Sequence, residues 1–151
     1  MRNEIQTKVL KGIRILDITC GPSGAYAGWL LDQSGATIRR VLKKPTSKFL
    51  NHSDLPTVQD LLKLLEESWD LVIWDSHCGR ELDQTILSYF KRKKVNKIGV
   101  RIQFPEGINL EEEEDLQAFG GWMELTGDPR KAPLKIGGNP ATCLLGAHVA
   151  T

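Results

Sequence analysis

Five carboxylates precede an apolar segment in residues 109 to 129, NLEEEEDLQAFGGWMELTGDP. A carboxylate can act as a nucleophile when it is ionised and partly desolvated, and a helix N-terminus helps to keep it charged. The simpler interpretation is structural. Asn109 caps a helix, and Glu111 to Glu114 lie in its first turn, where negative charge complements the helix dipole. The residue types alone favour the structural interpretation.

A glycine-containing turn, TCGPSGAYAG (19 to 28), follows the first apolar segment. This is where a doubly wound sheet usually meets its ligand, and Gly21, Gly24 and Gly28 could let the backbone approach a phosphate that faces a helix N-terminus. The spacing is not GxGxxG, and lysines rather than an acidic residue come about 20 residues later, so an NAD site is not expected. Close packing of helix on strand explains the glycines equally well.

Basic side chains cluster in two places. Arg39, Arg40, Lys43 and Lys44 follow the second apolar segment, where they could hold the phosphates of a nucleotide-like ligand or form a charged surface loop; both interpretations stay open. The run KRKKVNK (91 to 97) indicates a solvated helix end, because cations are favourable there and no aromatic residues are interleaved. Nucleic-acid binding is not expected.

Apolar runs and helical patterns alternate along the chain. The predicted strands span 13 to 19, 36 to 42, 70 to 75 and 97 to 104. Predicted helices lie between them: one from Ser23 as N-cap to Gly35, one opening at Asp54 and Pro56, one over 79 to 94, one over 110 to 125, and a last one from Pro140. This alternation predicts an α/β, Rossmann-like domain over 1 to 151, with a mostly parallel sheet and helices on both faces.

Composition narrows the class of protein. The 151 residues carry a net charge of +1, and no stretch approaches the roughly 20 apolar residues of a membrane span. Three scattered cysteines and three scattered histidines, without a CxxC pair, indicate reduced thiols in a cytoplasmic or other reducing compartment, and no metal site.

Two blocks of the sequence resemble a known family. The first block is LKGIRILDITCGPSGAYAGWLLDQSGATIRRV, and the second is DLQAFGGWMELTGDPRKAPLKIGGNPATCLLGAHVAT. Both are similar to the N-terminal part of the family III CoA-transferases. That group includes formyl-CoA and carnitine CoA-transferases and α-methylacyl-CoA racemase. Together the blocks cover about half the chain, in the family order, and the second is the more specific.

The resemblance implies a Rossmann-like domain that binds CoA or acyl-CoA in acyl-CoA metabolism. Its implied partner is a second copy, as in the family's homodimers, or the remainder of the family chain. In the family, an aspartate that opens the Q-A helix attacks an acyl-CoA thioester, and the mixed anhydride is then opened by CoA thiolate. The matching position here is Glu113, with Asp115 the weaker candidate. The residues expected to contact CoA are Gly21, Pro22, Gly24, Arg40, Lys43 and Lys44.

Several positions depart from the family pattern. Glu113 replaces an aspartate, Leu42 stands at a family glutamate, Thr142 stands at a family aspartate, and the basic N-R-x-K-R-S stretch has no counterpart. Family chains are also several hundred residues long. We therefore expect this chain to be a divergent N-terminal portion of a larger protein that is inactive or binds CoA weakly by itself. Three alternatives remain: a working enzyme half with Glu113 as nucleophile, whose other site residues come from a further segment or a partner; a non-enzymatic scaffold or dimerisation module; and a part of a racemase-like enzyme.

Overall fold

The computed structural model describes residues 8–41, 56–92, 96–103, 113–128 and 130–151. Within them, four parallel strands form one sheet: β1 (Arg14–Asp17), β2 (Thr37–Arg40), β3 (Leu71–Asp75) and β4 (Ile98–Ile102). The helices are α1 (Pro22–Gln33), α2 (Val58–Glu66), α3 (Arg80–Arg92), α4 (Glu113–Phe119) and α5 (Pro140–Ala150), and a short 3-10 turn spans Ser76–Cys78.

The strand order, β2-β1-β3-β4, is that of a doubly wound sheet. The chain passes from β1 to β2 on one side and then crosses to β3 on the other side of β1. The direction of winding therefore reverses between the carboxyl ends of β1 and β3, the place where ligands of such sheets bind. The predicted α/β Rossmann-like fold is confirmed.

Strand alternation gives the sheet two apolar faces. Leu16, Val72 and Trp74 point to one face, and Ile15 and Ile73 point to the other. The first face packs against α2 and α3 through Leu61, Leu65, Leu82, Ile86 and Tyr89. The second packs against α1 and α5 through Leu31, Leu145 and Val149. The predicted placement of helices on both faces is therefore correct.

Several predicted boundaries are wrong, each for a local reason. Gly21, not Ser23, is the N-cap of α1, because Pro22 takes the first helical position and Ser23 is buried inside the helix. Thr57 caps α2 by accepting a hydrogen bond from the Asp60 N–H. The helix therefore begins at Val58 and not at Pro56, while Asp54 and the predicted cap Asn109 lie outside the described residues.

The helix predicted to reach residue 125 ends at Phe119. Gly120 and Gly121 follow, and Gly121 has a φ of 73°, which ends the helix in a left-handed turn. Residues 120 to 125 continue as turns, held by hydrogen bonds such as that from the Trp122 N–H to the Gln117 carbonyl. Each strand begins one residue later than predicted, at Arg14, Thr37, Leu71 and Ile98, and β1 ends at Asp17 instead of residue 19.

Helices α1 and α5 approach each other closely at Gly146. A Cβ at that position would lie 2.5 Å from the Ser23 carbonyl oxygen and 3.1 Å from the Tyr26 side chain. Because the nearest atom belongs to the backbone of α1, the contact requires glycine. This contact brings the first turn of α1 beside the second turn of α5.

Candidate functional site

Glu113, the first residue of α4, binds the N-terminus of α5. Its Oε1 accepts hydrogen bonds from the Ala141 N–H at 2.8 Å and the Gln117 side-chain amide at 2.8 Å, and its Oε2 accepts one from the Thr142 N–H at 2.8 Å. The residue is only 8% exposed. The carboxylate therefore supplies an acceptor for the first N–H groups of α5, which have no partner within the helix.

The environment of Glu113 favours its charged form. Burial raises the pKa of this carboxyl, but hydrogen bonds from Gln117, from the Thr142 side chain and from the Thr142 and Ala141 N–H groups together lower it below its usual value. The group is thus ionised, as a carboxylate nucleophile must be, while both of its oxygens are engaged.

Gln117 holds Glu113 and a neighbouring loop at once. It is fully buried, with 0% exposure, and lies one helical turn after Glu113. Its Nε2 donates to Glu113 and, at 3.2 Å, to the Ile136 carbonyl, while its Oε1 accepts from the Ile136 N–H at 2.8 Å. The start of α4, the loop around Ile136 and the start of α5 therefore form one corner of the molecule, the α4–α5 corner.

Asp115, the second catalytic candidate, is half-buried two residues further along α4. Glu113, the first candidate, binds the α5 N-terminus. Between the two candidates lies Glu114, whose exposed side chain pairs with Lys135 at 2.8 Å.

The glycine turn after β1 is closed by a carboxylate from β3. Asp75 Oδ2 accepts hydrogen bonds from the N–H groups of Cys20 and Gly21, both at 2.8 Å. Its Oδ1 accepts from the His77 N–H at 3.1 Å. Asp75 is only 1% exposed, and burial raises the pKa of its carboxyl, although the hydrogen bonds from Gly21, Cys20 and His77 oppose that rise.

Gly24, another predicted ligand contact, is packed against Thr19. A Cβ on Gly24 would lie 2.2 Å from the Thr19 hydroxyl oxygen, so this glycine permits α1 to rest on the end of β1. Pro22 occupies the first position of α1. These positions have clear packing roles, and their contact with a ligand stays a prediction.

Arg40 forms a partly buried ion pair beneath α1. Its Nε and Nη2 donate to Asp17 Oδ2 at 2.8 and 2.6 Å, and the adjacent Gly28 has no Cβ that would displace them. Arg39 pairs with Glu67 on the surface at 3.0 Å. The predicted phosphate-binding role of Arg40 would thus have to compete with Asp17. Lys43 and Lys44 lie outside the described residues, as does Leu42.

Sequence reasoning missed Asp75 and Gln117. The position of Asp75 at the end of a buried apolar run was a usable signal, because the ends of neighbouring parallel strands meet at one edge. Gln117 lies four residues after Glu113, a spacing that places two side chains on one helix face.

Within the described residues no group of three or more His, Cys, Asp or Glu side chains has the arrangement of a metal site, and no helix is long and apolar enough to cross a membrane.

The fold and these contacts define an α/β, Rossmann-like protein in which the buried carboxylates of Asp75 and Glu113 accept hydrogen bonds from consecutive backbone N–H groups. No model of a known protein family matches the chain, and no curated protein matches it. Among solved structures, the chain is similar to the crystal structure of a hypothetical protein, Rv3272, from Mycobacterium tuberculosis, with a TM-score of 0.65 and 18% identity. The match covers 93% of this chain and 47% of that one, so this chain spans about half the length of the solved structure. At that identity the likeness shows the fold alone.

Proposed function

We propose that this chain is a family III CoA-transferase-like domain in which the nucleophile position has become a structural carboxylate. The observation that carries the proposal is the engagement of both Glu113 oxygens by the N-terminus of α5 and by Gln117. In this proposal the domain keeps the fold and a weak affinity for CoA, and it does not turn over acyl-CoA.

The hydrogen bonds of Glu113 oppose nucleophilic attack. A carboxylate that forms an anhydride loses its charge, so the N–H groups of Ala141 and Thr142 would lose a charged acceptor in a buried corner. A hydrogen bond to a charged group contributes about 1.5 to 3 kcal/mol. Each 1.4 kcal/mol or so added to a barrier slows a reaction about tenfold. Weakening two such bonds would therefore slow acylation by about two orders of magnitude or more.

The length of the side chain acts in the same direction. The family aspartate is replaced by glutamate, which is one methylene longer. A displacement of about 1 Å in a reacting group can cost about 10²-fold in rate. The extra methylene suits the structural role, because it allows the carboxylate at the start of α4 to reach Ala141 and Thr142 at 2.8 Å.

Calorimetric titration of the protein with CoA and with acetyl-CoA tests the binding claim. We expect weak binding of both ligands, and the absence of any binding up to millimolar ligand would remove CoA from the proposal. A CoA-transfer assay on the wild type, Glu113→Gln and Glu114→Gln tests the second claim. We expect no turnover in any of the three; turnover that is lost only in Glu113→Gln would establish Glu113 as a working nucleophile.

A scaffold or dimerisation module is the second candidate, and apolar side chains on the surface favour it. Trp29 of α1 is 53% exposed and Leu144 of α5 is 59% exposed. Large exposed apolar side chains are typical of interaction surfaces when they cluster. Sedimentation of the wild type and of Leu144→Asp distinguishes this candidate. A dimer that dissociates in the variant supports it, whereas a wild-type monomer at high concentration removes it.

A further inference from the structure

The backbone N–H groups of Cys20 and Gly21 lie directly before α1, next to the point where the sheet reverses its winding. In doubly wound folds the N–H groups of this turn face the phosphate of the ligand. Here both groups donate to one oxygen of Asp75, each at 2.8 Å. The turn has the form of an anion site, and its anion belongs to the protein.

The sheet register explains why Asp75 reaches the turn. β1 and β3 are parallel neighbours in which Asp17 pairs with Ile73. Two residues further along each strand, Asp75 is therefore level with Thr19, directly before the Cys20 and Gly21 N–H groups. The His77 N–H binds the other oxygen of Asp75 at 3.1 Å, which fixes the orientation of the carboxylate.

We propose that Asp75 is an internal anion that keeps the glycine turn closed to the phosphate groups of external ligands. An incoming phosphate would have to take the same two N–H donors and would meet the carboxylate at contact distance. Both side chains line the turn, since a Cβ on Gly21 would make ordinary contacts with Asp75 Oδ2 at 3.4 Å and His77 Nδ1 at 3.7 Å. The inference deepens the proposed function by explaining why CoA binding is weak, and it rests on that function only for the identity of the ligand.

Titration with inorganic pyrophosphate tests the inference without using CoA. The readout is the amide chemical shifts of Cys20 and Gly21 in the wild type, Asp75→Ala and Asp75→Asn. Asp83→Asn is the matched control, since Asp83 is also a buried carboxylate but pairs with Arg101 and Trp74. Circular dichroism establishes that each variant is folded.

We expect the wild type and Asp83→Asn to show no shift at these amides, and Asp75→Ala to bind pyrophosphate at least about tenfold more tightly, with shifts at both amides. Asp75→Asn should show a smaller gain, because it removes the charge but keeps the side chain in place; if Asp75→Ala does not fold, Asp75→Asn decides. Shifts at Cys20 and Gly21 in the wild type, or a folded Asp75 variant that binds no better than the wild type, would overturn the inference. If the wild type fails to bind CoA while Asp75→Ala binds pyrophosphate as expected, only the proposed function is removed.

Discussion

The glycine turn and the α4–α5 corner use the same device with opposite electrostatic results. In each, a buried carboxylate accepts hydrogen bonds from two consecutive N–H groups: Asp75 from those directly before α1, and Glu113 from those in the first turn of α5. Yet burial raises the pKa of Asp75, whereas hydrogen bonding lowers that of Glu113. Burial therefore outweighs the hydrogen bonds in its effect on the pKa of Asp75, whereas the hydrogen bonds outweigh burial at Glu113.

Removal of the Asp75 side chain should have the largest effect. Asp75→Ala leaves the N–H groups of Cys20, Gly21 and His77 without their acceptor in a buried turn, so we expect a loss of about 3 kcal/mol in the free energy of unfolding. Urea denaturation measures it. A loss below about 1 kcal/mol would mean that water replaces the carboxylate as the acceptor. Asp75 would then not stabilise its turn in the way that Glu113 stabilises the start of α5.

The helix contact that joins the two regions should come next. Gly146→Ala places a Cβ against the Ser23 carbonyl, which forces α1 and α5 apart, and we expect a loss of about 2 kcal/mol. Gly137→Ala is the matched control, because the space around a Cβ there is open, and it should change stability by less than about 0.5 kcal/mol. Equal effects of the two substitutions would show that α1 and α5 do not pack as described.

Neutral isosteres sharpen the comparison directly. Glu113→Gln should cost about 1 to 2 kcal/mol, because it removes a favoured charge and turns an amide group toward the α5 N–H groups. Asp75→Asn should cost less than about 1 kcal/mol, since it also removes a charge that burial disfavours. Glu114→Gln, an exposed neighbour, should lie within about 0.5 kcal/mol of the wild type. A larger loss for Asp75→Asn than for Glu113→Gln would mean that the protein favours the charged form of Asp75 more than that of Glu113, the reverse of what we expect.

The pH dependence of stability should differ in sign between the two carboxylates. The folded pKa of Glu113 is lowered, so its stabilisation is present above the unfolded pKa of about 4.3 and is lost as the pH falls through the folded value. The folded pKa of Asp75 is raised, so its contribution is fully present below the unfolded pKa of about 3.9 and is lost as the pH rises through the folded value.

Unfolding free energies of the wild type, Glu113→Gln and Asp75→Asn between acid and neutral pH measure both trends. The advantage of the wild type over Glu113→Gln should grow as the pH rises. The difference in unfolding free energy between the wild type and Asp75→Asn should shrink as the pH rises. If both stability differences change in the same direction with pH, the two carboxylates do not have oppositely shifted pKa values.

Local patterns in the sequence predict most of the fold. The apolar run LVIW at residues 71 to 74 and the glycine at the end of α1 place a strand and a helix stop almost where they occur. Helix lengths are less predictable, because the end of α4 depends on a left-handed glycine within a segment that still has apolar residues.

The contacts of the candidate site depend on tertiary structure and could not be read from spacing. Asp75 binds N–H groups more than 50 residues away, through the register between β1 and β3. Glu113 caps a helix 28 residues later, rather than its own. The acidic run predicts that a carboxylate meets a helix N-terminus, and only the packing of α4 against α5 determines which helix that is.

Acyl trapping at Glu113 is the most direct test of its structural role. The protein is incubated with acetyl-CoA and hydroxylamine, digested, and the peptide that contains residue 113 is examined by mass spectrometry, with Glu113→Gln as the control. We predict an unmodified glutamate in the wild type. A hydroxamate at residue 113 that is absent from the variant would show that the carboxylate leaves α5 to attack a thioester.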